Sequence, residues 1–199
     1  MKTNYQIIME NIINNLKGKP SLLLHACCGV CSSSVLEKLL PYFNITVLYY
    51  NPNIYPEEEY IKRYNTLKEL ISKMNIDVKL IKKEYKSEEF ENIAKGLEDE
   101  KEGGERCTKC FYLRLNETAK IAKDNNYDYF CTTLSVSPYK DSQKLNKIGK
   151  ILESKYKIKY LYSDFKKKEG YKRSNELSKK YNLYRQHYCG CRYSLNEIK

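Results

Sequence analysis

The stretch SLLLHACCGVCSSS, residues 21 to 34, decides the fold of this 199-residue chain. Its apolar first half, Ser21 to Ala26, predicts a short buried strand. Its serines, Ser32 to Ser34, offer side-chain oxygens that cap the start of a helix. Three cysteines, Cys27, Cys28 and Cys31, stand between the two predicted elements. A strand that passes directly into a helix is the unit from which parallel α/β sheets are built.

The same alternation of strand and helix continues to the end of the chain. Further strands are predicted at Ile45 to Tyr50, Val78 to Ile81, Tyr127 to Thr132 and Tyr160 to Ser163, and helices are predicted to start near Pro56, Ser87, Thr108 or Cys110, Ser142 and Tyr171. This pattern predicts a Rossmann-like α/β fold, with a mostly parallel sheet and helices on both faces. We expect one catalytic domain over residues 1–199, with residues 1–20 as an N-terminal helical extension.

The composition indicates a globular chain, with 41% hydrophobic and 31% charged residues. No apolar run approaches the ~18 residues of a membrane span. The isoleucines before Pro20 follow helical spacing rather than the apolar core of a signal peptide. We therefore expect a cytoplasmic protein with no membrane contact. Eight cysteines in a reducing compartment favour metal or catalytic roles over structural disulfides.

The formal net charge of +11 has two explanations. One is a polyanionic partner, of which nucleic acid is the usual example. The other is genomic base composition, because the chain is also rich in lysine, tyrosine, asparagine and isoleucine. Charge alone leaves both open.

Four cysteines form two motifs, the adjacent pair Cys27 and Cys28 and the CxxC pair Cys107 and Cys110. Four thiolates can hold a tetrahedral zinc ion or a 4Fe-4S cluster. An adjacent pair suits a cluster better than zinc, because neighbouring cysteines can each bind a different iron. A helix that starts at the pair would also stabilise negative charge there. The spacing therefore favours iron–sulfur over zinc.

The remaining cysteines differ in their surroundings. Cys31 is a candidate ligand of a second metal, a candidate nucleophile or an inert core thiol. Cys131 lies inside a predicted strand, so we expect it to be a core residue. Cys189 and Cys191 flank Gly190, which could let them close a small, easily reduced disulfide; metal ligation by the pair is the alternative.

Two polar segments follow predicted strands. Ligands of parallel sheets bind beyond the carboxyl ends of the strands. We therefore expect the cysteines after the first strand and Thr132 to Pro138 after the fourth to line the active site. The two histidines, His25 and His187, flank cysteine motifs, and each is expected to be a packing or hydrogen-bonding residue rather than a ligand.

Five motifs carry a resemblance to a known family: LHACCGVCS (24–32), YNPNI (50–54), RCTKC (106–110), TTLSVSP (132–138) and YRQHYCGC (184–191). Together they resemble the QueH-type epoxyqueuosine reductases. The motifs keep the family order from about Leu22 to Ser194.

This resemblance implies a cytoplasmic enzyme with an adenine nucleotide alpha hydrolase-like fold. Such an enzyme removes the epoxide oxygen of epoxyqueuosine at the wobble position of tRNA, without cobalamin, in the last step of queuosine biosynthesis. Carried over by motif, Cys27, Cys28, Cys107 and Cys110 would bind a 4Fe-4S cluster. Cys31 would be the candidate ligand of an adjacent iron or other metal ion.

The resemblance also implies a redox-active disulfide, from which a route for the electrons follows as a hypothesis. Cys189 and Cys191 would form a redox-active disulfide, whose dithiol form stores the two electrons that deoxygenation needs. An external electron donor would then reduce the disulfide again. On this reading the positive charge is explained by a surface that binds a tRNA with a queuosine-type anticodon. Arg185 and the run Lys166 to Lys168 are the candidate phosphate contacts.

Two other functions stay open at this point. An iron–sulfur tRNA-thiolating enzyme of the ATP-activating type would share the fold, but such enzymes resemble each other in a Ser-Gly-Gly-x-Asp-Ser loop after the first strand. Here Cys27 to Ser32 occupies that place and contains no aspartate. A zinc-binding RNA module without catalytic activity is the second alternative.

Overall fold

The computed structural model describes residues 2–196 of the chain. The helices are α1 (Tyr5–Asn14), α2 (Gly29–Leu39), α3 (Glu57–Lys73), α4 (Ser87–Ala94), α5 (Glu105–Asp124), α6 (Ser142–Tyr156), α7 (Gly170–Lys180) and α8 (Arg192–Asn196). The strands are β1 (Ser21–His25), β2 (Asn44–Tyr49), β3 (Lys79–Lys82), β4 (Tyr129–Thr132) and β5 (Lys159–Tyr160). A 3-10 turn, Thr133–Val136, follows β4.

The five strands form one sheet in the order β3-β2-β1-β4-β5, and every pair is parallel. The prediction of a Rossmann-like sheet is therefore confirmed. The chain leaves β1 towards β2 on one side and later returns to β4 on the other. The carboxyl ends of β1 and β4 thus form the switch point of the sheet, where ligands of such folds bind.

Alternating residues of β1 supply the cores on both faces of the sheet. Leu22 and Leu24 pack into one apolar cluster with residues of α1, α2 and α3. Leu23 packs into the other cluster with residues of α5 and α6. A strand that is buried on both faces needs the continuous apolar run seen in the sequence.

Several predicted boundaries were wrong by a few residues. Helix α2 begins at Gly29, and its N-cap is Cys28, whose Sγ accepts from the Cys31 N–H at 3.4 Å. The serines predicted as caps lie inside the helix, where the Ser32 and Ser33 hydroxyls donate to carbonyl oxygens of the preceding turn. Serine hydroxyls bond to nearby backbone groups both at an N-cap and in the first turn of a helix. Residue type alone therefore could not tell which of these positions the serines occupy.

Helix α5 also starts earlier than the predicted Thr108 or Cys110, at Glu105. Its first turn therefore contains Cys107. Strand β3 is shifted by one residue at each end, β5 ends at Tyr160, and part of the predicted polar loop 133–140 is the 3-10 turn. No helix among residues 2–196 is long and apolar enough to cross a membrane.

Gly29 fixes the position of the loop that carries the first cysteines. A Cβ at Gly29 would lie 2.8 Å from the carbonyl oxygen of Thr66 and 2.9 Å from its Cγ2. Helix α2 can therefore approach α3 this closely only because residue 29 lacks a side chain.

We expect Gly29→Ala to lower the free energy of unfolding by about 1–3 kcal/mol, because the methyl group meets backbone that cannot move away. Urea denaturation measures this, with the exposed Ser154→Ala on α6 as a control expected to stay within about 0.5 kcal/mol. Equal stability of the two variants would show that α2 and α3 can separate freely.

Candidate functional site

A cavity of about 420 Å³ opens at the carboxyl ends of β1 and β4. Its walls come from the loop after β1, from the segment after β4 and from the chain before α8. Among its lining residues are Cys27, Cys31, Leu134, Lys140 and Cys189. The predicted location of the site, beyond β1 and β4, agrees with this cavity.

The first thiol group consists of Cys27, Cys28 and Cys31. Their three Sγ atoms lie within 4.8 Å of one another, and those of Cys27 and Cys28 are 3.8 Å apart. The Gln186 side-chain amide donates to the Cys28 Sγ at 3.1 Å, although Gln186 lies far along the chain. Three thiols at this spacing could hold a metal ion.

The three thiols do not ionise independently. Hydrogen bonds from the Cys28 and Cys31 thiols lower the pKa of Cys27 well below its usual value. The same contact with Cys27 raises the pKa of Cys28 to about 12, and it raises the pKa of Cys31 well above the normal range. These shifts favour ionisation of Cys27 before the other two thiols, and a bound metal would displace the remaining protons.

The second thiol group consists of Cys107, Cys110, Cys189 and Cys191, which line a smaller cavity beside the first. Cys107 and Cys110 are three residues apart at the start of α5, so they share one face of the helix. The Cys107 Sγ accepts from the Gly103 N–H at 3.2 Å. Cys189 lines both cavities and so connects the two thiol groups.

Arg114 lies between the two groups and lines both cavities. It is 3% exposed, and its guanidinium donates to Asn51 Oδ1 at 2.6 Å and approaches the Cys110 Sγ at 4.0 Å. Its Nε has no partner, and no carboxylate within residues 2–196 forms an ion pair with it. A buried cation without a carboxylate requires other negative charge nearby, and the surrounding thiols can supply it as thiolates.

Arg63 contacts the backbone that carries two members of the second thiol group, Cys189 and Cys191. Its guanidinium donates to the carbonyl oxygens of Cys189 at 3.0 Å and Tyr188 at 3.3 Å, and it pairs with Glu59 at 2.7 Å. The Gly190 carbonyl accepts from the Tyr55 N–H at 2.8 Å. Three contacts to consecutive carbonyls fix the backbone of the Cys189–Cys191 segment.

Lys140 contacts the thiol that the two cavities share. Its ammonium donates to the Cys189 Sγ at 2.7 Å and to Glu102 at 2.8 Å. The lysine is 8% exposed, so this cation is almost completely removed from water.

Sequence reasoning missed Arg63, Arg114, Lys140 and Gln186. Two of them had a readable signal: Arg114 follows Cys110 by four residues on a helix and therefore shares its face, and Gln186 lies in the motif at 184–191. Arg63 and Lys140 reach the site through contacts between distant parts of the chain.

Cys131 and His25, two of the residues predicted to be structural, lie in the core. The Cys131 side chain is fully buried, and its Sγ donates to the Leu161 carbonyl at 3.2 Å. His25 is also buried; its Nε2 donates to the Tyr50 carbonyl at 3.1 Å and its Nδ1 accepts from Thr132 at 2.9 Å. Burial lowers the pKa of His25 to about 3, so it stays neutral. His187 lines the large cavity.

Among the predicted phosphate contacts, the three lysines already have side-chain partners in the protein. Lys166 pairs with Asp164 at 2.9 Å, Lys168 pairs with Glu10, and Lys167 donates to Asn4. Arg185 is exposed at the wall of the large cavity, and no ion pair or hydrogen bond of its side chain is found among residues 2–196. Arg185 is therefore the candidate most available to a ligand.

The fold and site place the chain among α/β proteins with a doubly wound parallel sheet, and a cavity lined by thiols lies at the switch point of that sheet. The structure of the U34-tRNA thiolase NcsA from Methanococcus maripaludis with its 4Fe-4S cluster has this fold, with a TM-score of 0.52 and 13% identity. The match covers 96% of this chain and 67% of that one. At this identity the likeness shows the fold alone.

Comparison of sequences gives the family. The family model described as epoxyqueuosine reductase QueH matches residues 22–197. Epoxyqueuosine reductase QueH of Staphylococcus epidermidis is 42% identical, over 96% of this chain and 84% of the relative. The QueH proteins of Streptococcus pyogenes and Thermotoga maritima are 40% and 34% identical, over 97% and 89% of this chain and 78% and 91% of the relatives. The chain therefore belongs to the epoxyqueuosine reductase QueH family, a family of oxidoreductases.

Gly190 provides a test of how the second thiol group is held. Its φ is 140°, which only glycine adopts without strain, and a Cβ there would approach Arg63, Ile54 and Asn53 at 3.2–3.3 Å. Gly18 also has a positive φ, 80°, but a Cβ there meets nothing within 4 Å.

We expect Gly190→Ala to lower the free energy of unfolding by at least about 1 kcal/mol more than Gly18→Ala, because it adds steric contact to backbone strain. Chemical denaturation of both variants measures the difference. Equal losses would mean that the segment around Gly190 is not fixed by its neighbours.

Proposed function

We propose that this protein is a cytoplasmic, single-domain enzyme that removes the epoxide oxygen of epoxyqueuosine at the wobble position of tRNA. The reaction is a two-electron reduction that yields queuosine. One observation carries the proposal: in a chain of the QueH family, six cysteines line two adjoining cavities around the buried cation of Arg114, and a seventh, Cys28, contacts Cys27.

We assign a 4Fe-4S cluster to Cys27, Cys28, Cys107 and Cys110. The fit rests on charge, because a cluster with four thiolates is anionic and Arg114 has no carboxylate partner within the described chain. Two helices also direct their N-terminal ends at these residues, since Cys28 caps α2 and Cys107 lies in the first turn of α5. When bound, such a cluster supplies electrons singly.

Cys31 is the proposed ligand of an adjacent iron or other metal ion. Its Sγ is within 4.8 Å of both Cys27 and Cys28, and its side chain lines the large cavity. Cys31 is thus the one member of the first thiol group that is not among the four proposed cluster ligands, and it faces the large cavity in which we place the substrate.

Cys189 and Cys191 are the proposed store of the electron pair. Removal of the epoxide oxygen as water needs two electrons and two protons, and oxidation of two thiols to a disulfide releases both. The substrate epoxide becomes an alkene and the thiol pair becomes a disulfide, so the reaction is balanced. An external electron donor then restores the dithiol.

The large cavity is the proposed position of the wobble nucleoside. Tyr139, at its wall, is 78% exposed and offers a ring on which a splayed base can stack. Arg185 is free to contact phosphate, and the net charge of +11 favours a polyanion.

The direct test is anaerobic incubation of the purified protein with epoxyqueuosine-containing tRNA and a chemical reductant. Mass spectrometry of the digested nucleosides should show loss of one oxygen atom from epoxyqueuosine. Unchanged epoxyqueuosine with fully metallated protein would overturn the proposal.

The same assay with and without ATP, together with metal analysis of the protein, separates the two alternative functions. Dependence on ATP with sulfur incorporated into tRNA would indicate a thiolating enzyme. Zinc bound in stoichiometric amount, without iron, sulfide or visible absorbance, would indicate an RNA-binding module without catalytic activity.

Cysteine variants should separate cluster ligands from the dithiol. We expect Cys107→Ala to lose the visible absorbance of the cluster, and we expect Cys131→Ala, at a fully buried thiol away from both cavities, to keep it. Cys189→Ser should keep the absorbance but stop multiple turnover, because the electron pair can no longer be stored. Loss of absorbance in Cys189→Ser would contradict this division of roles.

Salt should weaken binding of tRNA if phosphates are contacted. We expect log K to fall linearly with log salt concentration between about 50 and 200 mM. Arg185→Gln should reduce the slope by about 1, since one phosphate contact is removed. Lys168→Gln is the matched control and should change the slope little, because Lys168 is already paired with Glu10. A slope of zero in the unmodified protein would refute electrostatic binding.

A further inference from the structure

The proposed function gives Cys189 and Cys191 a shared role but assigns none to the cation beside them. Lys140 donates to the Cys189 Sγ at 2.7 Å and to Glu102 Oε1 at 2.8 Å. An almost fully buried ammonium is costly unless its partners are anionic. The Lys140 ammonium and the Glu102 carboxylate together carry no net charge. The other contact of the ammonium goes to one sulfur of the pair only, that of Cys189.

The position of Lys140 is fixed by its own backbone. Its N–H donates to the Ser137 carbonyl at 3.2 Å, and its carbonyl accepts from the Lys166 ammonium at 3.1 Å. Lys166 in turn pairs with Asp164 at 2.9 Å. The segment after β4 therefore holds the lysine against the thiol.

The two thiols of the pair have different surroundings. Cys189 lines the large cavity as well as the small one, whereas Cys191 lines only the small one and is 7% exposed. The Cys191 Sγ lies 3.5 Å from the neutral hydroxyl of Ser194. A molecule in the large cavity therefore meets Cys189 first.

The charges that face Cys189 have opposite effects. Burial raises the pKa of Cys189, and the carboxylate of Glu102 and the thiol of Cys191 act in the same direction. Lys140 opposes this rise of the pKa and favours the Cys189 thiolate, both by charge and by hydrogen bond, although burial prevails. Arg63 contacts the Cys189 carbonyl oxygen and not its sulfur.

We propose that Lys140 is a positioning residue that makes Cys189 the thiol that exchanges with the donor and leaves Cys191 as its buried partner, the sulfur that is released first when the disulfide is reduced. This inference rests on the proposed redox role of the pair and adds the order in which its two sulfurs act.

The order can be written for the reduction of the disulfide by a small dithiol. A thiolate of the donor attacks the Cys189 Sγ and forms a mixed disulfide; the Cys189–Cys191 bond breaks, and Cys191 receives the electron pair and a proton. The second thiol of the donor then attacks the donor's own sulfur and closes a cyclic disulfide. Cys189 leaves as a thiolate beside Lys140, so the donor is oxidised and the pair is reduced.

Reaction with a small aromatic disulfide tests the order without turnover. The anaerobically purified, metal-loaded protein is exposed to the reagent, and mass spectrometry of its peptides gives the labelling rate of each cysteine. Cys189 in Cys191→Ser should react at least about tenfold faster than Cys191 in Cys189→Ser. An equal or faster rate at Cys191 would overturn the proposal.

Charge variants in the Cys191→Ser protein test the part played by the lysine. Lys140→Met should slow labelling of Cys189 about tenfold, and Lys140→Arg should restore much of the rate, because the positive charge returns. Glu102→Gln should increase the rate, since it removes an opposing negative charge. Lys147→Met, an exposed lysine on α6, is the matched control and should change nothing.

The predicted labelling of Cys189 is slower in Lys140→Met and faster in Glu102→Gln, and these opposite effects exclude a merely structural ion pair. If Lys140 and Glu102 only tied two loops together, loss of the lysine would open the cavity and speed labelling of Cys189, and faster labelling in Lys140→Met would overturn the proposal. Glu102→Gln keeps the lysine, and an unchanged or lower rate in that variant would overturn the proposal even if Lys140→Met fails to fold.

Failure of the inference can be told from failure of the proposed function. Full multiple turnover in both Cys189→Ser and Cys191→Ser would reject the dithiol as the electron store. Equal labelling rates with blocked turnover would keep the dithiol and reject only its assigned order.

Discussion

The guanidinium of Arg114 is the charge around which the site is arranged. It is 3% exposed, it bonds to the neutral amide of Asn51, and it faces thiols on both sides. Moving a cation from water into a protein interior costs several kcal/mol unless anions surround it. The cysteines can supply those anions once they are deprotonated, and a bound metal centre would keep them so.

The same arginine connects the site to the sheet. Asn51, which follows β2, accepts from Arg114 and donates from its side-chain amide to the Ala26 carbonyl at 2.9 Å. Ala26 immediately precedes Cys27 and Cys28, so one chain of hydrogen bonds links α5 to the loop after β1. The first thiol group and the first turn of α5 are therefore positioned together rather than separately.

Much of the fold could be predicted because its signals are local. The apolar run Ser21 to Ala26 and the helix after it define a parallel α/β unit, and the later strands repeat the pattern. Cysteine spacing likewise identified the motifs from which the two thiol groups are built, but not how these motifs combine. Boundaries were less accurate where a residue satisfies two roles: Cys28 caps α2 although the serines after it are the better capping residues by type.

The contacts that organise the site could not be predicted from spacing. Arg63 lies 126 residues from Cys189, and Lys140 lies 49 residues from it. Nothing near either residue in the sequence indicates a thiol partner, and a charged residue in a helix or polar loop normally faces water. Only the packing of the chain before α8 against α3 and against the segment after β4 reveals them.

The measurement that tests the central claim most directly is the gain in thermal stability when metal-free protein is reconstituted with iron and sulfide. If Arg114 carries a charge that the metal centre balances, Arg114→Met should melt at the same or a higher temperature than the unmodified protein without metal, and it should gain markedly less on reconstitution. An equal gain in both proteins would contradict the account, because Arg114 would then contribute nothing to holding the anionic site.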